Sequence, residues 1–531
     1  MKVAHTVARN DRNEIAARSL SRVPRGISMT GIRGLQIRWQ YGEYLGKRGN
    51  AQLLFNSVEF LIFFSIVTVL YFLVPFKFKW VLLLAASCVF YMFFIPEYII
   101  ILGFSLTVSY FACRLMDGAQ GTRRRLFLIL TITFNVAILF VFKYFNFFNA
   151  NIARVAEAFH WNYGISSLSI ILPIGLSFYT FQNMGYIIDV YRGNQKRVKH
   201  FGIYALFILF YPQLVAGPIE RSKNLLHQFM EDHPFDYFRV TDGLKLMLWG
   251  MFKKVVIADN LAVIVNNVYN DPGKFTGLPL IIATYFFAFQ IYCDFSGYTD
   301  IARGCARVMG FELMENFKQP YLSRSVPEFW KRWHISLSSW FKDYVYIPLG
   351  GSRVRRYRWF YNIMVVFLLS GLWHGASWTY VIWGGLNGIY QVVSIMTVRI
   401  RGWFVKALRL DRLPLLRKTI QIFITFHLVL VSWVFFRAGS ISDAAYIIKH
   451  LFDGISLKGA LIPGVSKGSI LFACAMILFL LIIQLLQTKN RMISVINSKP
   501  VLLRWGICYA AVLFILLFGE FSSTEFIYFQ F

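Results

Sequence analysis

Residues 326–378 read VPEFWKRWHISLSSWFKDYVYIPLGGSRVRRYRWFYNIMVVFLLSGLWHGASW. This stretch contains two histidines, His334 and His374, and each directly follows a tryptophan. Basic residues lie between the two histidines, and apolar segments lie on both sides. An ionisable side chain is costly to bury at membrane depth, so its presence there needs a reason. The stretch therefore marks a candidate site inside an apolar chain.

The composition of the whole chain is that of an integral membrane protein. Of its 531 residues, 57% are hydrophobic and 15% are charged, whereas average soluble domains carry about 25% charged residues. The mean hydropathy is +0.53. Many apolar runs have about the length that a helix needs to cross a bilayer, and they lack the alternation of barrel strands. The predicted spans are 58–74, 80–95, 98–113, 126–144, 168–190, 202–218, 243–262, 278–297, 359–373, 376–398, 419–436, 469–487 and 502–519.

The net charge of +29 does not by itself indicate a nucleic-acid partner in a membrane protein. Lysines and arginines gather in short loops beside the spans, as the positive-inside bias requires. Basic loops follow the first, third and fifth spans, near Lys77, Arg123 and Arg192, and these loops are predicted to be cytoplasmic. We therefore expect membrane lipid around the chain and no nucleic-acid partner.

Residues 1–52 differ from the rest and form a separate predicted region. They contain ten lysines and arginines against three acids and no apolar run, so they should resist translocation next to a span. The charges of the loops, however, predict that the first span begins on the outer side of the membrane. Either that orientation is wrong, or the mature protein is residues 53–531 and translation starts at Leu53. N-terminal sequencing of the native protein decides, because peptides from before Leu53 would contradict the second alternative.

Several familiar site signatures are absent from the sequence. The six cysteines form no CxxC pair and lie in or beside apolar segments, so neither a disulfide framework nor a metal site is expected. There is no GxSxG for a serine nucleophile. The chain also lacks a P-loop and a GxGxxG motif, which argues against an ATP-driven pump.

His374 lies in SGLWHGASW, at the end of an apolar run. Gly371 and Gly375 flank the Trp-His pair and allow another backbone to approach closely. A neutral imidazole in an apolar site can act as a general base. A hydrogen bond between two membrane helices would explain the residue equally well.

His334 lies in FWKRWHISLSSW. The spacing predicts that Trp330, Trp333 and His334 share one face of a helix. The alternative to a functional role is an interfacial amphipathic helix, with a tryptophan belt and with Lys331 and Arg332 extending to the membrane surface.

Other polar residues interrupt the apolar segments. Asp294 and Asp300 can pair with Arg303 or with another buried cation. Gln182 and Asn183 interrupt the span 168–190, which has Pro173 and Gly175 near its start. This pattern predicts a broken helix that lines a cavity.

Several segments taken together resemble the membrane-bound O-acyltransferase (MBOAT) superfamily, in particular its bacterial alginate O-acetylation branch. The resemblance covers residues 53–531 and is most specific in the middle third. Family members typically begin with Met in place of Leu53. The segments are LLFNSVEFLIFF (53–64), LPIGLSFYTFQ (172–182), YPQLVAGPIER (211–221), FQIYCDFSGYTDIARG (289–304), ENFKQPYLSRSVPEFWKRWHISLSSWFKDYVYIPLGG (315–351), LSGLWHGASWTYVIWGGLNGIYQ (369–391) and FIYFQF (526–531).

This resemblance implies a fold and a site. The fold would be an all-α polytopic membrane protein, a ring of about 11–13 transmembrane helices with tilted or re-entrant helices around a central tunnel. His374 corresponds to the catalytic histidine of the WHG motif, and His334 to its usual partner in the FWxRWHISLS motif. Arg353, Arg355 and Arg356, with Arg358, would form a cytoplasmic rim near the entrance of the acyl donor.

The resemblance also implies a reaction and its partners. Without a bound cofactor, the protein would pass acetyl groups from acetyl-CoA or another acyl thioester across the bacterial inner membrane. A periplasmic SGNH-hydrolase-like partner would then acetylate an exported polysaccharide. D-alanyl transfer to teichoic acids is the alternative within the family. A polytopic transporter without bond chemistry is the alternative outside it.

Overall fold

The computed structural model describes residues 53–215, 217–455, 462–487, 492–521 and 526–529. These ranges contain helices and no β-strand. The predicted extension, residues 1–52, lies outside them. The α-helices are α1 (Val58–Leu73), α2 (Phe76–Met92), α3 (Tyr98–Asp117), α4 (Gly121–Leu139), α5 (Phe145–Ala158), α6 (Leu176–Arg192), α7 (Phe201–Leu209), α8 (Tyr211–Leu214), α9 (Ser222–Leu225), α10 (Tyr237–Met251), α11 (Asp259–Tyr269), α12 (Leu278–Met309), α13 (Val326–Arg332), α14 (Ile335–Phe341), α15 (Arg356–His374), α16 (Trp378–Met396), α17 (Val398–Ala407), α18 (Pro414–Arg437), α19 (Ile441–His450), α20 (Lys467–Gln487), α21 (Met492–Asn497) and α22 (Val501–Phe518).

Long apolar helices confirm the predicted all-α, multi-pass membrane architecture. In the described ranges, six helical segments are long and apolar enough to cross a membrane. The number is seven if α16 and α17, which meet at 60°, form one broken span. Further predicted spans correspond to helices that are shorter or carry more polar residues, such as α1, α6 and α15.

Helix α12 forms the core, and α10 packs closely along it. Small residues make this approach possible. A Cβ atom on Gly250 would lie 2.6 Å from the carbonyl oxygen of Gly297, and one on Gly304 would lie 2.6 Å from that of Gly243. Glycine is therefore required on both helices, at positions seven residues apart.

Replacing Gly250 by valine should destabilise this helix pair by about 1–3 kcal/mol, because the new side chain overlaps backbone that cannot move independently. Thermal unfolding of the purified protein in detergent measures the effect. Gly103→Val on α3 is the matched control, since a Cβ there meets nothing within 4 Å. Equal melting temperatures for the two variants would contradict the close packing.

The predicted span 202–218 is wrong, because the chain there forms two short helices, α7 and α8, with a break at Phe210. Both flanks of this segment lie at the same end of α2. Before it, the His200 ring lies 4.6 Å from the Trp80 ring. After it, Asp232 pairs with Lys79 at 2.8 Å. The segment therefore enters and leaves on one side, as a re-entrant element that protein covers on all sides.

The side that carries this end of α2 also carries other charged residues. Arg221, just after the re-entrant segment, pairs with Asp343 at 3.1 Å. Arg192, the last residue of α6, donates to the Asp343 carbonyl at 3.1 Å. We call this side, defined by Lys79, Arg192 and Arg221, the basic face.

The predicted span 168–190 is helical only from Leu176, after Pro173 and Gly175, and α6 then runs continuously through Gln182 and Asn183, so these two residues do not break the helix. Their amides are satisfied by neighbouring helices, so the backbone need not unwind. Gln182 Nε2 donates to the Phe207 carbonyl at 2.6 Å. Asn183 Nδ2 donates to Ser109 Oγ at 2.9 Å and to Asn135 Oδ1 at 3.0 Å.

Among the described residues, three wide π-helical turns interrupt the α-helical geometry, at Phe140–Tyr144, Phe252–Ala258 and Lys342–Tyr346. Such turns are rare and are often found at functional sites. Each one carries charged side chains: Lys143 in the first, Lys253 and Lys254 in the second, and Lys342 and Asp343 in the third.

Candidate active site

His374 is the last residue of α15, and 3% of its surface is exposed. Aromatic rings enclose the imidazole. Its centroid lies 4.8 Å from that of Trp383, 5.4 Å from Phe436 and 5.6 Å from Tyr528. Nδ1 has no hydrogen-bond partner among the described residues. The imidazole is therefore held by packing, and one ring nitrogen is left available.

The glycines beside His374 act as predicted. A Cβ on Gly371 would lie 2.3 Å from the Tyr380 carbonyl oxygen, and one on Gly375 would lie 2.2 Å from the Tyr380 ring. Close contact with α16 therefore fixes the end of α15 and the turn that follows it.

His334 is fully buried and lies between α13 and α14 in a left-handed conformation, with φ 44°. The prediction that Trp330, Trp333 and His334 share one helical face is wrong, because α13 ends at Arg332. Asn316 explains the break. Its Oδ1 accepts from the backbone and hydroxyl of Ser336, both at 3.0 Å, and lies 3.3 Å from His334 Nδ1.

This arrangement defines the tautomer of His334. The Ser336 N–H can only donate, so the Asn316 atom that faces it is the amide oxygen. An oxygen there requires the proton on Nδ1 of His334. Nε2, which has no partner among the described residues, is then a free acceptor in the neutral ring.

Tyr528, in the segment FIYFQF (526–531), contacts both histidines and brings them into one site. Its ring centroid lies 6.3 Å from that of His334 and 5.6 Å from that of His374. Trp373 also contacts both, at 6.0 and 5.0 Å. Tyr528 was not among the residues predicted for the site, and its segment FIYFQF carried only the family resemblance. Its one signal was an aromatic cluster far along the chain from either histidine.

A buried ion cluster holds the Tyr528 segment in place. Asp294 Oδ2 accepts from the backbone N–H of Ile527 at 2.8 Å. Lys254 lies 2.6 Å from Asp294 and 2.7 Å from Asp259, and all three are buried. The predicted pairing of Asp294 with a buried cation is therefore confirmed.

Asp300, nearly two helical turns further along α12, also pairs with cations. It pairs with the predicted Arg303 at 3.4 Å and with Lys253 at 2.7 Å. Lys253 and Lys254 both come from the π turn Phe252–Ala258.

A cavity of about 1240 Å³ lies between α10, α12, α20 and α22. Its lining includes seven basic and three acidic side chains together with apolar ones from α20 and α22. Phe317 lines it, and the Phe317 ring lies 6.5 Å from that of His334. One aromatic side chain thus separates the cavity from the histidine.

The cavity lies toward the basic face. Arg307 in its lining lies 3.5 Å from Glu312. The Glu312 backbone in turn donates to Gln228, in the loop that leads to Asp232. Arg353 and its neighbouring arginines, predicted as an entrance rim, are not among the residues that line this cavity.

The site can perform proton transfer. Within the described ranges no group of His, Cys, Asp and Glu side chains could hold a metal ion. Two imidazoles with unused ring nitrogens can accept a proton from a hydroxyl group in an apolar, water-poor setting.

Comparison with known proteins supplies the chemical context. The profile of the membrane-bound O-acyltransferase family matches residues 200–424. A Pseudomonas aeruginosa protein named "Probable alginate O-acetylase" is 36% identical over 80% of this chain and 81% of its own length. A peptidoglycan O-acetyltransferase of Helicobacter pylori is 34% identical over 76% and 81%. A teichoic acid D-alanyltransferase of Streptococcus thermophilus is 30% identical over 52% and 70%.

Proposed function

Because this chain belongs to the membrane-bound O-acyltransferase family, we propose that it transfers acetyl groups from a cytoplasmic thioester to an exported polysaccharide of the alginate type. The observation that carries the proposal is the pair His334 and His374, which are buried around Tyr528, with Phe317 lying between His334 and a basic cavity. Membership of the family makes the chain an O-acyltransferase. A transporter without bond chemistry is thereby set aside.

The basic face is the cytoplasmic side of a bacterial inner membrane in this proposal. Lysine and arginine accumulate on the cytoplasmic side of multi-pass proteins. The start of α15, with Arg355 and Arg356, lies on the same side as Asp343. Trp359 Nε1 supports this position, because it donates at 2.7 Å to Tyr346, one turn after Asp343.

The basic cavity is the entrance for the acyl donor. Acetyl-CoA carries phosphates that lysine and arginine bind well, and the cavity exceeds the volume of most ligand sites. Arg303 and Arg307 line this cavity, and the Nε atom of Arg303 has no hydrogen-bond partner among the described residues. Another acyl thioester with an anionic carrier fits the same features.

The reaction follows from the free ring nitrogens. His374 removes the proton from an acceptor hydroxyl, and the oxygen attacks the thioester carbonyl carbon. The C–S bond then breaks, and the leaving thiolate takes the proton back from the His374 imidazolium. His334 orients the acceptor through Nε2, which in the neutral tautomer accepts a hydrogen bond from another donor group of the acceptor, because the single proton of the reacting hydroxyl goes to His374. To stabilise an oxyanion instead, His334 would have to donate a hydrogen bond from Nε2, and this requires a second proton on its imidazole.

The acceptor side involves a partner protein. We propose that a periplasmic enzyme of the SGNH-hydrolase-like type places the acetyl group on the sugar. Among the relatives, those named for O-acetylation match three quarters or more of this chain, and the D-alanyltransferase matches half. This difference favours acetyl over D-alanyl transfer.

The test is deletion of the gene in its native host. Ester-linked acetyl on the exported polysaccharide should disappear and return with the wild-type gene. Loss of D-alanyl esters from the cell envelope, with acetyl content unchanged, would replace acetyl by D-alanyl transfer. Purified protein in vesicles with labelled acetyl-CoA then tests the donor, and no transfer of label would reject acetyl-CoA.

Reversing charge in the cavity should weaken donor binding. We expect Lys318→Glu combined with Lys499→Glu to raise KM for acetyl-CoA about tenfold or more, because charged hydrogen bonds contribute about 1.5–3 kcal/mol, and to leave kcat largely unchanged. Both residues line the cavity. Lys467→Glu, at the exposed start of α20, is the control. An unchanged KM in the double variant would remove the donor from this cavity.

A further inference from the structure

The C-terminal end of α15 is the backbone that carries His374. The last four carbonyl groups of an α-helix lack partners within the helix and must be satisfied by other groups. Here they belong to Gly371, Leu372, Trp373 and His374. The first accepts from the Gly375 N–H at 3.3 Å. The other three lie in the protein interior and depend on side chains from elsewhere.

Two neighbouring side chains supply the three missing bonds. Tyr144 Oη donates to the Leu372 carbonyl at 2.9 Å. Lys143 Nζ donates to the Trp373 carbonyl at 2.8 Å and to the His374 carbonyl at 3.1 Å. Every terminal carbonyl of α15 therefore has a donor, and three of the four depend on two consecutive residues.

Both donors belong to the π turn Phe140–Tyr144, between α4 and α5. They lie more than 220 residues before the carbonyl groups to which they donate. Through these hydrogen bonds, the π turn between α4 and α5 holds the end of α15.

Lys143 is fully occupied by this role. Its ammonium group has three donors, and the third lies 3.4 Å from Ser177 Oγ, at the start of α6. In its ammonium form, the side chain has all three protons engaged and no lone pair for attack on an acyl group. Its charge also lies at the negative end of the α15 dipole, where a cation is stabilising.

We propose that Lys143 and Tyr144 are positioning residues for His374. They fix the last turn of α15 through its carbonyl groups and thereby fix the imidazole. The inference rests on the function of His374 proposed above and adds two residues that lie outside its ring. Small displacements of a reacting group can cost about 10²-fold in rate.

The experiment compares Lys143→Met, Lys143→Arg and Tyr144→Phe by acetyl content of the exported polysaccharide in the native host, normalised to the amount of membrane-inserted protein. Lys143→Met should reduce acetylation by about 10–100-fold. Lys143→Arg should restore most of it, because guanidinium also presents several donors and a charge. In vesicles supplied with labelled acetyl-CoA, the loss should fall on kcat while KM stays unchanged.

Lys79→Met is the matched control, since it removes another largely buried lysine without touching α15. If the Lys143→Met protein does not accumulate in the membrane, the Tyr144→Phe variant tests the inference instead, because it removes only one hydroxyl group. Wild-type acetylation in Tyr144→Phe, or in Lys143→Met, would overturn the inference, and so would a failure of Lys143→Arg to restore acetylation. His374→Ala in the same assay separates the two proposals, since full activity there would reject the proposed base itself.

Discussion

The His374→Ala variant is expected to lose acyl transfer by at least about 10²–10⁴-fold, the usual contribution of a general base. The side chain lies at the end of α15 among Trp383, Phe436 and Tyr528, and none of these can take over proton transfer from a hydroxyl at neutral pH. Acetyl content of the exported polysaccharide, measured with equal amounts of membrane-inserted protein, checks the prediction.

Folding must be separated from chemistry in this experiment. The imidazole makes ring contacts that alanine lacks, so His374→Gln, which retains bulk, should accumulate normally and remain inactive. His427→Ala is the matched control. This variant removes another histidine from a membrane-spanning helix. The ring of His427 is hydrogen-bonded to Tyr285 at 2.6 Å, in a different part of the structure. Wild-type acetylation by His374→Ala would show that the assignment of the base is wrong.

Replacing Lys254 by methionine should cause the largest loss of stability. The change leaves Asp259 and Asp294 buried as two like charges without their shared cation. Breaking a buried ion pair in this way typically costs about 3–5 kcal/mol. Because Asp294 also holds the backbone of Ile527, the Tyr528 segment should detach. We expect a sharply lower melting temperature in detergent and loss of acetyl transfer.

A compensated variant tests the physical cause. Lys254→Met together with Asp259→Asn and Asp294→Asn removes all three charges, and so should recover much of the lost stability. If the triple variant is as unstable as Lys254→Met alone, the cost comes from packing and the electrostatic explanation fails.

Most of the fold was predictable because the length of an apolar run can be read directly from the local sequence. A run such as the one in α20 or α22 spans a membrane wherever it lies in the fold, so hydropathy locates it. The segment 202–218 was mispredicted for the same reason. Hydropathy does not distinguish an apolar run that crosses lipid from one enclosed by protein, and only the contacts of His200 and Asp232 with α2 reveal the difference.

The site was predictable in its residues and unpredictable in its geometry. His334 and His374 were identified from sequence patterns, but the helical spacing around His334 was misleading. Asn316, 18 residues earlier, draws the chain out of helix there through Ser336 and His334. Tyr528 and Lys143 join the site through contacts across more than 150 residues, and no local pattern encodes such a contact.

The π turns give the protein an unusual sensitivity to changes in chain length. An α-helix advances by about 100° per residue, so deleting one residue from Phe140–Tyr144 or Phe252–Ala258 would rotate one part of the helix against the other by that angle. Lys143 would then point away from α15, or Lys254 away from Asp294, although every side chain type remained present. Single-residue deletions at these turns should therefore be tolerated far less than deletions of the same size in surface loops.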